Sequence, residues 1–199
     1  MRVAVLRGRV AGAERAGHGR LFRGGRSAYR AFSRLGVVPG SSDNQELGGI
    51  EMPDGFLAGM SEWQARRGAE RFGRLERDIG HRRAIASRYS AWLTGHGRTP
   101  AAEPSEATHT FLRYPLRVVD KAGFMTAADR AGIDLGDWFV SPLHPITTGL
   151  DRWGYVSGSA PVAEAACSEI VNLPTDPRLS DRDVADVLAL LAARIDSLR

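Results

Sequence analysis

One lysine, Lys121, stands among the 27 basic residues of the 199-residue chain, and every other one is arginine. Chemistry that bonds a side-chain amine to a carbonyl compound therefore has a single candidate here. Cysteine is just as scarce, and Cys167 alone excludes an intramolecular disulfide. It lies among alanines in AEAACSEI with no neighbour that would lower its pKa, so it reads as a small core residue and not a nucleophile. No apolar run approaches the roughly 20 residues of a membrane-crossing helix. The N-terminal MRVAVLRGRVAGAERAGHGR interrupts its brief apolar patch with arginines, unlike a signal peptide, and the chain reads as cytoplasmic. His81, His96 and His109 are too dispersed for metal ligation. GHGRTP lacks the spacing and the lysine of a phosphate-binding loop, and no G-x-S-x-G elbow occurs. Asp134 and Asp137 come without a sugar cleft between them.

What is present suffices for a folded core, since 43% of the residues are hydrophobic. The net charge of +4 comes mostly from arginines in the first forty residues. Few aromatics are interleaved there for base stacking, which favours a solvated leader over a nucleic-acid-binding arm.

The chain divides at about residue 58. Residues 1–58 form an Arg/Gly-rich, poorly ordered leader with the turn signals GVVPGSSDN and MPDG and one short helix near Tyr29–Leu35. A long helix is expected over 59–93, with Phe72, Leu75 and Ile79 on one face, continued by Ile85, Tyr89 and Trp92. Ser61 and Gln64 have capping-box spacing, and Glu70, Arg74, Glu76 and Arg77 face outward. Gly68, Gly73 and Gly80 each weaken the helix by about 1 kcal/mol, and a break or close contact is expected near Gly80. THTFLRYPLRVV alternates Leu112, Tyr114, Leu116 and Val118 as a strand, and Pro115 marks an edge or bulge. GFMTAADRAG is a helix ended by Gly132, and IDLGDWFV returns as a strand. PVAEAACSEI is helical, and EIVNLP is a strand closed by Pro174. Ser180 caps a last helix whose stripe of Val184, Val187, Leu188, Leu191 and Ile195 covers a small sheet. The pattern is an α+β or α/β layer arrangement, preceded by a helix too long for its sheet.

In this order, four segments resemble one family. MSEWQARRGAERFGRLERDIGHRRAIASRYSAWL resembles its long helix, and FLRYPLRV the strand opening its small domain. AGIDLGDWFVSPLHP resembles its Gly-Ile and Pro-Leu-His segment, and PVAEAACSEIVNLPTDPRLSDRDVADVLALL its closing Ala-Glu, Leu-Pro and capped-helix pattern. The family is the DegT/DnrJ/StrS aminotransferases, which use pyridoxal phosphate in a fold of type I and mostly aminate keto-sugars attached to nucleotides, as in polysaccharide biosynthesis. The resemblance covers the C-terminal part only, from about Met60 to Arg194. It implies an α+β small domain at 59–199, with a short, mostly antiparallel sheet covered by helices and a long helix before it.

Three departures qualify what is implied. The family's large domain, which carries the Schiff-base lysine, the acid facing the pyridine nitrogen and the phosphate-binding residues, has no counterpart in this sequence. Lys121, in VVDKAGF, lies in the small domain and is expected to be a solvated turn residue. At PDGFLAGMSEWQ, Leu57 and Gly59 stand where the family has the asparagine and arginine of a Gly-Tyr-Asn-x-Arg-Met run. No catalytic, cofactor-binding or metal-binding residue is therefore assigned, and the chain alone is expected to be inactive. His144, with Ser141, Arg152 and Trp153, is the candidate for touching a substrate phosphate or sugar hydroxyl. The opposing expectation is a packed loop, with Trp138 and Phe139 in the core and His144 bonded to main chain. The expected partner is a large-domain fragment or a full-length aminotransferase subunit, paired through the long helix at Trp63, Phe72 and Leu75.

Overall fold

The computed structural model describes Leu57 and residues 59–199. The expected helix near Tyr29–Leu35 and the leader as a whole lie outside the described residues. The chain forms two units, Met1–Phe72 and Gly73–Arg199.

In the first unit, helix α1 spans Glu62–Phe72. It opens on the expected capping box: the Ser61 amide donates to Gln64 Oε1 at 2.9 Å, and the Gln64 amide to Ser61 Oγ at 3.3 Å. Two of the orphan amides at the helix start are thereby satisfied. Arg66 pairs with Glu62 and Arg67 with Glu70 along its surface. Phe72 at its end is 76% exposed.

The second unit begins with helix α2, Leu75–Gly95. The break in the long helical stretch thus falls at Gly73–Arg74 and not near Gly80, which sits inside α2 with open space around it. Burial explains the difference. The glycine penalty is similar at both positions, but beyond Gly80 the helix is anchored by Ile85, Ala86, Tyr89 and Leu93, all buried. No residue of α1 is buried to bridge Gly73 in the same way.

Strand β1, Tyr114–Arg117, pairs antiparallel with β2, Ile170–Leu173, in the register Tyr114 to Leu173 and Arg117 to Ile170. Single bridges extend the sheet on both sides, Val118 with Leu198 and Gly136 with Asn172, both antiparallel. Among the described residues Pro115 pairs with β2 alone, and its missing N–H falls on the side away from β2, as at an edge position. IDLGDWFV supplies one bridge at Gly136 in place of the strand expected there.

Helix α3, Lys121–Ala131, ends at Gly132 in the left-handed region, φ 77°. Helix α4 spans Pro161–Glu169, and α5 spans Asp181–Ala193 behind a complete Ser180–Asp183 capping box. Val184, Val187, Leu190 and Leu191 bury one side of α5 in the core, where it packs against α3 and α2. Tyr114, Leu116, Val118, Val171 and Leu173 fill the sheet side of one core, with Phe124 and Ala128 from α3. This is the expected α+β arrangement of a short antiparallel sheet covered by helices. Two details differ. Leu112 is exposed and Phe111 is buried in its place, because the chain turns at Phe111, φ 49°, before β1 begins. Cys167 is only half-buried, since α4 buries none of its residues.

Polar contacts lock the layers. The Tyr89 hydroxyl donates to the Pro174 carbonyl at 2.9 Å, and burial raises its pKa. The Tyr114 hydroxyl lies 2.9 Å from Ser90 Oγ and accepts from the Ala101 amide at 3.0 Å. Glu169 receives both Arg117 and Arg199 at 2.6 Å. Among the described residues, no helix is long and apolar enough to cross a membrane.

Candidate functional site

The candidate region is built at the start of α3. Asp120 caps the helix, its carboxylate accepting from the Gly123 amide at 2.9 Å. A Cβ on Gly123 would lie 2.0 Å from Oδ2 of that carboxylate, so any other residue there would make the carboxylate shift. Lys121 follows as the first helical residue. Its Nζ donates to the carbonyl oxygens of Asp137 at 2.9 Å, Phe139 at 3.0 Å and Cys167 at 2.8 Å. An ammonium has three hydrogens, and all three are used. Lys121 is thus a half-buried tie between three segments, not the solvated turn residue expected from the sequence. Burial pushes its pKa down, and the nearby Asp137 carboxylate opposes that shift.

Asn172 on β2 completes the hold. Its main chain exchanges hydrogen bonds with Gly136, at 2.9 Å and 2.8 Å, and its side-chain amide donates to the Trp138 carbonyl at 2.6 Å. Four consecutive carbonyls, from Gly136 to Phe139, are each paired with a donor from Asn172 or Lys121. With the main chain facing inward, the side chains turn outward: Trp138 is 43% exposed and Phe139 60%. The expectation that both belong to the core is corrected by this inversion, in which polar anchoring of the backbone outweighs burial of two rings.

His144 stands beside them. Its Nδ1 accepts from the Val140 amide at 3.3 Å, and its ring meets the Phe139 ring edge-on at 5.3 Å. A bond accepted at Nδ1 leaves the proton of the neutral ring on Nε2. Ser141 is buried, and its hydroxyl donates to the Ile146 carbonyl, closing the turn that carries His144. Arg152 and Trp153 lie on a separate 3₁₀ turn, Leu150–Trp153, between Gly149 and Gly154, both with positive φ. Both side chains are exposed. No hydrogen bond, ion pair or ring contact joins them to Ser141 or His144 among the described residues. The structure brings Ser141 and His144 together on one turn and holds Arg152 with Trp153 on another.

The anchors were missed by sequence reasoning. Asn172 carried one signal, a polar residue inside the apolar run IVNL. Glu164 carried none; its carboxylate accepts from the Tyr155 hydroxyl at 2.5 Å and the Gly158 amide at 2.7 Å, which ties 155–158 to α4. Those bonds hold the Glu164 carboxyl below its ordinary range and raise the Tyr155 phenol.

Lysine-bonded pyridoxal phosphate needs an amine free to react, an acid facing the pyridine nitrogen and a phosphate cradle. Lys121 has its three hydrogens on main-chain oxygens, and its surroundings are carbonyls of its own fold. The described residues therefore do not fit that cofactor. They offer an aromatic and imidazole surface able to contact a ring or accept and donate single hydrogen bonds.

Residues 26–192 match the model of the DegT/DnrJ/EryC1/StrS aminotransferase family. A pleiotropic regulatory protein of Geobacillus stearothermophilus is 27% identical over 143 residues, which cover 69% of this chain and 38% of that protein. A crystal structure of a DegT/DnrJ/EryC1/StrS aminotransferase from Brucella abortus superposes with a TM-score of 0.56 at 26% identity, over 65% of this chain and 34% of that one. The structure of DesV from S. venezuelae, at 19% identity, shares the fold with a TM-score of 0.62, over 78% of this chain and 43% of that one. The chain thus spans between a third and a half of the length of the relatives it matches.

Proposed function

The chain belongs to the DegT/DnrJ/EryC1/StrS aminotransferase family, and we propose that it supplies the small C-terminal domain of a pyridoxal-phosphate-dependent aminotransferase acting on nucleotide-linked keto-sugars. In this reading the cofactor and its lysine belong to a large domain outside these 199 residues, and these residues alone do not transaminate. One observation carries the reading: the single lysine has its whole donor capacity committed to the carbonyls of Asp137, Phe139 and Cys167. His144, Ser141, Arg152 and Trp153 are the substrate-facing candidates, His144 by the ring nitrogen opposite its bonded Nδ1 and Arg152 as an exposed cation for phosphate.

The test is a titration of the chain with pyridoxal phosphate, followed by an amination assay with a nucleotide-linked keto-sugar and glutamate. The chain alone is expected to give no saturable visible absorption band and no turnover. Turnover is expected when a family large domain is added. A saturable band that disappears in Lys121→Met would overturn the reading.

A second reading is favoured by the exposure of Phe72 (76%) and Leu75 (42%). In it the chain is a non-catalytic relative that pairs with a full-length aminotransferase through the α1 and α2 sequence, with Trp63 contributing. Light scattering on a mixture of the two proteins separates this reading from the first, since it requires a heteromeric species without gain of turnover.

A further inference from the structure

Two exposed rings at the edge of a domain lose the burial that commonly holds aromatics in place. Trp138 and Phe139 nevertheless lie on a segment whose geometry is fully specified, and the specification comes from beneath. We propose that Lys121 is a positioning residue: with the Asn172 side chain it fixes the main chain of 136–140 so that Trp138 and Phe139 stand outward and His144 is held in one ring orientation beside them. This goes beyond the aminotransferase reading and does not depend on it.

The argument is geometric. The three carbonyls on Lys121 come from two places, Asp137 and Phe139 in the segment itself and Cys167 in α4. The ammonium therefore ties the segment to α4 from the first residue of α3, three elements at one atom. A compact ammonium with three rotatable donors suits carbonyls arriving from different directions, whereas a planar guanidinium does not. Asn172 takes the one carbonyl between the two on Lys121, that of Trp138. Phe139 then presents its side chain to the His144 ring at 5.3 Å, and the next amide, Val140, donates to His144 Nδ1 at 3.3 Å. The chain of contacts runs from Lys121 through the Phe139 carbonyl to the orientation and tautomer of His144.

The test is hydrogen exchange and imidazole ¹⁵N NMR on the full chain, comparing Lys121→Met and Lys121→Arg with Ser180→Ala. Ser180 caps α5 and touches none of these groups, so its variant lowers stability without the proposed effect. In Lys121→Met the amides of Gly136, Val140, His144 and Ile146 are expected to exchange at least about tenfold faster, while those of β1 and α5 keep their protection. The His144 ¹⁵N pattern is expected to shift from a single Nε2–H tautomer to a mixture, with no restoration in Lys121→Arg. Wild-type exchange rates and an unchanged His144 pattern in folded Lys121→Met would overturn the proposal, as would the same changes in Ser180→Ala. If Lys121→Met does not fold, acetic anhydride labelling of the unaltered chain decides. Lys121 is the only side-chain amine, and the proposal requires it to react at least about tenfold more slowly in the native chain than in the urea-unfolded chain at the same pH, whereas equal rates refute it.

Discussion

The two faces of the Gly73–Arg199 unit are held in opposite ways. Around Tyr89 and Tyr114 the apolar side chains point inward, their rings meet at 5.5 Å, and hydrogen bonds finish what burial begins. Around 136–146 the main chain points inward and the rings point outward, and two polar residues, Lys121 and Asn172, do the holding. The first arrangement is nearly insensitive to which apolar residue fills a position of suitable volume. The second depends on donors at two positions. A region of the first kind stabilises the fold, and one of the second kind presents a surface.

Substitutions that break each side sharpen the contrast. Tyr114→Ala removes a fully buried ring and leaves the Ala101 amide without its acceptor, so urea denaturation is expected to lose about 3–5 kcal/mol. A loss below about 1 kcal/mol would mean that the sheet core is less packed than described. Ser180→Ala removes the α5 cap, and about 1 kcal/mol is expected in the same measurement. A smaller effect is expected from pH at Glu169. The Arg117 guanidinium, hydrogen-bonded to it and helped by Arg199, holds its carboxyl below the ordinary value of 4.5. The unfolded chain therefore takes up this proton first, so the contribution is present above about pH 4.5 and is lost as pH falls through the lower folded value. Glu169→Gln should flatten the acid side of a melting-temperature profile while leaving the neutral side parallel, and an unaltered acid slope would contradict the assignment. The smallest effect is on the outward face, where Trp138→Ala should change stability by less than about 0.5 kcal/mol by urea denaturation, against several for a buried ring. A larger loss would place Trp138 in the core after all.

This contrast also explains what could be read in advance. The Ser61–Gln64 and Ser180–Asp183 caps, the Gly132 stop and the alternation of Tyr114, Leu116 and Val118 are local signals, each written within a few residues. The family landmarks are local too, and they led to the α+β small domain. The break at Gly73 was misplaced because three glycines in one helical stretch look alike until the core that holds Gly80 in place is known. Trp138 and Phe139 were expected inside because ring size argues for burial. What turned them outward is a lysine 17 and 18 positions earlier and an asparagine more than thirty positions later, a juxtaposition that no local pattern encodes. Of the four residues grouped as candidates, His144 and Ser141 lie on one turn because they are close in sequence, whereas the position of Arg152 and Trp153 depends on the turn that follows.

Borohydride trapping most directly tests the central claim, that the lone lysine is committed to its own fold and does not carry a cofactor. The native chain is incubated with pyridoxal phosphate, reduced, digested and mapped by mass spectrometry. The account predicts a phosphopyridoxyl group on the N-terminal amine and none on the peptide containing Lys121, with Lys121 labelled only after unfolding. Saturable labelling of Lys121 in the folded chain would contradict it.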